Sequence, residues 1–184
     1  MKVRIFTIIS FLAIGIAALL DSCKNDALPT TSEHITTLKV VLQNLNPNYT
    51  YPIDTFTYVN FNETKSSPPS YVDTIRLQAK SSYSIQVILL NETLSPVQNM
   101  TDTIEARGDN HLMLYSIDPT ELFSLKMLDK DSKGLPIGLM SNWTTTDTTN
   151  GWLRMILRQQ PGNKNGTQTP GVTVFEADFP VVVR

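Results

Sequence analysis

From His34 onward the chain alternates apolar and polar residues in short runs separated by turn residues. Ser82–Asn91 shows this most clearly, with Tyr83, Ile85, Val87 and Leu89 on one face and Ser84, Gln86 and Ile88 on the other. Period-two alternation is the pattern of a half-buried strand. It recurs at Ile35–Leu42, at Asp54–Phe61 (Phe56 and Tyr58 against Thr57 and Val59), and at Tyr71–Leu77. It continues at Thr101–Ala106, His111–Ile117 and Leu122–Leu128. Trp152–Arg158 sets Trp152, Arg154, Ile156 and Arg158 against Leu153, Met155 and Leu157, and Val172–Val183 closes the chain. Pro136–Thr144 reads as a short strand or an extended connection. Turn residues punctuate these runs at Asn46-Pro47-Asn48, Ser66–Ser70, Asn91–Asn99, Arg107–Asn110, Asp129–Gly134 and Gln159–Gly171. No stretch sustains a 3.6-residue period. The pattern predicts an all-β fold, a two-sheet, immunoglobulin-like β-sandwich of about 8–9 antiparallel strands over residues 34–184. A small closed barrel is the alternative.

The N-terminus obeys a different pattern. Met1-Lys2-Val3-Arg4 is basic, and Ile5–Leu20 carries no charge. A spanning helix needs about 20 apolar residues, so this shorter run reads as an export signal over residues 1–22. The run ends at Leu20-Asp21-Ser22-Cys23, which resembles a bacterial lipobox: Leu20 three residues before the cut, small Ser22 just before it, and Cys23 after it. Asp21 is the kind of residue that lipoproteins of the Bacteroidota tolerate there. Cys23 is the single cysteine of the chain, so no intrachain disulfide competes for its sulfur. The expected chemistry is a diacylglycerol on that sulfur and a further acyl chain on the freed amine, and two or more chains give stable anchoring. Residues 23–33 then read as the lipidated cysteine and a polar, flexible tether. Lys24-Asn25-Asp26 resembles, in part, a signal for display on the outer face of the outer membrane.

Composition narrows the function. Residues 1–22 hold Lys2, Arg4 and Asp21, so the mature chain keeps an acidic balance of about −3. A nucleic-acid partner calls for a basic patch instead. The glycine-rich, nucleophile-elbow and zinc-protease motifs are missing. His34 and His111 are the two imidazoles. His111 with Asp109 and Glu105 offers part of a metal site, which needs three or four ligands; an exposed histidine at a strand edge is the plainer expectation. Asp129-x-Asp131-x-Lys133-Gly134 resembles the start of a calcium loop, but Lys133 and Met140 stand where ligands are required, so a polar hairpin turn is expected. Asp118 and Glu121 are acids without a visible partner geometry. Of the two tryptophans, Trp152 lies in a strong strand and reads as core. Trp143, beside the Thr-rich segment Thr144–Asn150, reads as the ligand-contact candidate, able to stack on a sugar or a protein partner. Asp73-Thr74-Ile75, Asp102-Thr103-Ile104 and Asp147-Thr148-Thr149 resemble the O-glycosylation motif of the same bacteria, which makes Thr74, Thr103 and Thr148 acceptor candidates.

Three segments carry a wider resemblance: Ile88–Thr93 with Pro96-Val97, Asp129-Lys130-Asp131 with Gly134–Leu139, and Gly151–Gly162. Together they are similar to uncharacterised lipoproteins of the Bacteroidota, some named for a type 1 periplasmic binding domain. Members of that family often carry an acidic run ending in His, which survives here in weaker form as Asp109-Asn110-His111, and a second His where this chain has Gln159 or Gln160. The anchor, the strand pattern and the missing catalytic constellations point to a non-enzymatic binding or accessory module of the cell envelope, lipid-anchored to the outer membrane on its periplasmic or its cell-surface face, with an uptake system as one setting. An envelope protein or glycan is the expected partner, and no cofactor is called for. The alternative is metal or haem capture through His111 and nearby carboxylates; a hydrolase ranks third.

Overall fold

The computed structural model describes residues 33–48, 53–62 and 67–184. The expected export signal, Cys23 and the expected tether up to residue 32 lie outside them. Two sheets pack face to face, as the alternation predicts. One holds β1 (Thr37–Asn44), β2 (Ile53–Val59), β3 (Tyr71–Val72), β5 (Ser82–Asn91), β6 (Gln98–Asn99), β8 (Phe123–Met127) and β9 (Met140–Thr145). Its order is β3-β2-β1-β5-β9-β8, with β6 also on β5. The other holds β4 (Ile75–Leu77), β7 (His111–Asp118), β10 (Thr149–Gln159) and β11 (Val172–Val183), in the order β4-β11-β10-β7.

The core forms where the inward faces meet. Leu38, Val40 and Leu42 of β1 and Ile85, Val87 and Leu89 of β5 come from the first sheet. Leu153, Met155 and Leu157 of β10, with Phe175, Ala177, Phe179, Val181 and Val183 of β11, come from the second. Strand side chains alternate between faces, so each of these runs leaves its odd partners outside. β10 therefore presents Trp152, Arg154, Ile156 and Arg158 outward.

Three local expectations change. Tyr71–Leu77 is one run in sequence but two strands in space. β3 pairs with β2, and after Asp73-Thr74 the chain crosses to the other sheet, where β4 pairs with β11. That pairing is parallel, whereas the other strand pairs among the described residues are antiparallel. Second, Met100–Ala106 is a helix, α1, and not a strand. The Asn99 side chain caps it by accepting the Thr101 N–H at 3.0 Å. Met100 and Ile104, one turn apart, are both buried against the sheet, and Thr101 Oγ1 accepts the Leu89 N–H at 2.8 Å. Third, Glu33 is no part of a free tether: it is buried and bonded into the domain. Among the described residues no helix is long and apolar enough to cross a membrane.

Candidate functional site

A cleft of about 530 Å³ opens along one side of the sandwich, between the β2–β3 edge and β11. Tyr58, Ile35 and Phe175 form its apolar floor, and Val72 and Pro69 continue it outward. Tyr58 sits edge-on to Phe175, with ring centroids 5.9 Å apart. Burial pushes the Tyr58 phenol above its ordinary pKa, opposed by a hydrogen bond with Asn60 and reinforced by Asp178 and Glu176. Asn60, Asn62 and Ser67 supply polar groups on one wall. Glu176, Asp178 and Trp152 form the other, and Glu33 and His34 complete the lining. Trp152 is 56% exposed. Arg154, beside it, donates to both carboxylate oxygens of Asp178 at 2.6 and 2.7 Å, and that bond keeps the guanidinium charged far above its usual pKa. A fork-to-carboxylate pair of this geometry also holds Asp178 in place. Among the described residues no lysine or arginine lines the cleft. An aromatic face, an apolar floor, amide groups and the Glu176 carboxylate, the one lining acid that makes no hydrogen bond or ion pair with a described residue, suit a neutral or cationic ligand and disfavour an anionic one.

The two tryptophans exchange the roles expected of them. Trp143 is fully buried, so it is not a ligand contact. It stacks on Phe123 at 4.4 Å and meets Tyr115 edge-on at 6.4 Å. Its indole N–H donates to Ser141 Oγ at 3.0 Å. Burial pushes the Tyr115 phenol well above its usual value, and its hydroxyl donates to the Gly138 carbonyl at 2.6 Å. Trp152 stands outside because it shares the β10 parity of Arg154 and Arg158, a signal already present in the alternation.

His111 is likewise buried, not an exposed residue at a strand edge, and it is no free ligand contact. Its Nδ1 donates to the Arg107 carbonyl at 2.9 Å, since a carbonyl only accepts. Its Nε2 lies 2.8 Å from Glu33 Oε2, with Arg107 Nη1 3.7 Å from the other Glu33 oxygen. Both ring nitrogens are thus engaged inside the protein. Asp109 is committed elsewhere, accepting from the Ser132 hydroxyl and N–H, which hold its carboxyl below the usual range. Among the described residues no three His, Cys, Asp or Glu side chains converge as metal ligands.

The Asp129–Gly134 turn has an internal cation. Asp129 accepts the N–H groups of Gly138 and Leu139 at 3.0 and 2.7 Å. Asp131 accepts those of Lys133 and Leu135, both at 2.9 Å. The second Asp131 oxygen meets Lys164 Nζ at 2.8 Å, both side chains being fully buried, and the same ammonium donates to the Gly108 carbonyl at 2.9 Å. Lysine thus supplies the positive charge a calcium ion would bring to such a loop. Gly138 is required here: its φ is +89°, and an added Cβ would come within 2.6 Å of the Met113 carbonyl oxygen.

Burial alone would raise the Asp131 carboxyl, but the Lys164 ammonium and the Leu135 and Lys133 N–H groups outweigh it and hold the carboxyl below its usual range. A depressed carboxylate contributes stability that is complete above the unfolded value of about 3.9 and is lost as pH falls through the lower folded value. Urea melts repeated down to about pH 2.5 are therefore expected to show a decline that Asp131→Asn does not share in full; parallel declines would refute it.

Of the glycosylation candidates, Thr148 is exposed at the β9–β10 turn, Thr74 lies half-buried in the β3–β4 crossing, and Thr103 is half-buried on α1.

No family model and no curated protein matches this chain. Among solved structures, the crystal structure of the S-layer protein SbsC domains 4 and 5 matches over 78% of this chain and 75% of that one, at 11% identity and a TM-score of 0.28.

Proposed function

We propose that this chain is a bacterial lipoprotein of the outer membrane, held through acyl chains on Cys23. Its β-sandwich serves as a non-enzymatic binding or accessory module of the cell envelope, and the Trp152 cleft is its binding site. The observation that carries the anchor is the place of the chain's single cysteine, directly after an uncharged export run and the Leu20-Asp21-Ser22 sequence. The cleft supports the binding role because it collects the exposed Trp152, three carboxylates and an apolar floor. An accessory role in an uptake system fits a small domain tied to the membrane by a polar tether.

Growth with a labelled fatty acid tests the anchor. The wild-type chain is expected to take up label and fractionate with membranes, and Cys23→Ala to lose the label and enter the soluble fraction. Equal labelling of the two would overturn the proposal.

A further inference from the structure

β11 is paired with β10 along Val172–Val183. On its other side β4 covers only Val181–Val183. From Val172 to Pro180 that edge has no strand partner among the described residues. The direction of its backbone groups follows from the chain end. The Arg184 N–H donates to the Leu77 carbonyl at 3.0 Å, and the Arg184 carbonyl accepts from Ala79 at 2.6 Å, so Arg184 turns both groups toward the β4 side. A strand repeats every two residues, and the register shift in the β10–β11 pair lies at Leu157/Arg158, opposite Phe175 and Thr173. Glu176, Asp178 and Pro180 therefore turn their backbone groups to the β4 side as well. Pro180 has no N–H to offer, which suits a free edge. Glu176 and Asp178 present N–H and C=O groups along the cleft they line.

The side chains add a pattern to this open ladder. Glu176 and Asp178 stand on the outer face with Trp152, while Phe175 turns inward beside Tyr58. Asp178 is held by Arg154, whereas Glu176 makes no hydrogen bond or ion pair with a described residue. An added strand would set alternate side chains against the acidic and aromatic wall and against the apolar floor. Carboxylates on an edge disfavour pairing with a second copy of the same edge and favour a basic partner.

We propose that the free half of β11 accepts an extended segment of a partner protein as an added strand, one in which basic and apolar side chains alternate. Strand addition draws affinity from main-chain hydrogen bonds and specificity from pockets for alternate side chains. The inference rests on the reading of the cleft as the binding site and names the class of its partner.

The full-length chain in a non-ionic detergent, titrated with an acetylated, amidated octapeptide of alternating lysine and valine, provides the test. Trp152 fluorescence reports binding. Saturable binding is expected, at least tenfold weaker for the glutamate–valine counterpart and for the Glu176→Lys chain, whose melting temperature should stay within about two degrees of wild type. Two further peptides carry N-methyl groups on the lysine nitrogens only or on the valine nitrogens only. One set of N–H groups must face β11, so one of these peptides is expected to lose at least tenfold in affinity and the other to keep it. Absence of saturable binding by the parent peptide, equal affinity for the acidic counterpart, or equal affinity of the two methylated peptides would each overturn the proposal. Fatty-acid labelling at Cys23 is read independently, so failure of the peptides leaves the anchor reading standing.

Discussion

Replacing Asp131 with alanine is expected to lower the free energy of unfolding by about 3–5 kcal/mol, the usual result of leaving one charge of a buried pair uncompensated. The Lys164 ammonium would keep only the Gly108 carbonyl at 2.9 Å, and the N–H groups of Lys133 and Leu135 would lose their acceptor. Several segments depend on this one carboxylate: the turn after β8, the turn before β7 that contains Gly108, and the loop between β10 and β11 that supplies Lys164. Urea denaturation followed by circular dichroism measures the effect. Asp131→Leu combined with Lys164→Met should recover the part of the loss that comes from the stranded ammonium, because an apolar pair carries no desolvation penalty, while the Lys133 and Leu135 N–H groups still lack their acceptor. A loss below about 1 kcal/mol for Asp131→Ala would mean that water or a rearranged turn serves the ammonium as well.

The same pair shows why some of the site was hidden in the sequence. Asp131 and Lys164 are far apart along the chain, and Lys164 stands in a loop of turn residues that looks solvent-facing. No local rule joins them. The alternation at β1, β5 and β10, by contrast, needs only each strand's own residues, and one face of each run forms the core: Leu38, Val40 and Leu42, then Tyr83, Ile85, Val87 and Leu89, then Leu153, Met155 and Leu157, with Trp152 on the opposite face from the core expected for it. The strand expected at Thr101–Ala106 fails because the run is too short for period two and period 3.6 to be told apart, and the deciding feature is the Asn99 cap. The cleft is legible only in pieces. Tyr58, Trp152 and Glu176 lie on three strands, and their convergence depends on β4 stopping at Val181 instead of covering the whole of β11.

The two tryptophans provide the second large effect, because truncating each to alanine should have opposite consequences. Trp143→Ala is expected to cost about 3–5 kcal/mol, the range for removing a large aromatic from a core. It would strip the stacked face from Phe123, the edge contact from Tyr115 and the donor from Ser141. Trp152→Ala, on the exposed face of β10, is expected to stay within about 0.5 kcal/mol of wild type. It should weaken peptide binding at the cleft, where the indole supplies the aromatic wall. Paired urea melts and titrations monitored by calorimetry separate the two. In the folded state Trp152→Ala should retain the short-wavelength emission of a buried indole, and Trp143→Ala should show the long-wavelength emission of a solvated one. A stability loss at Trp152 equal to that at Trp143 would place both rings in the core and remove the aromatic wall from the proposed site.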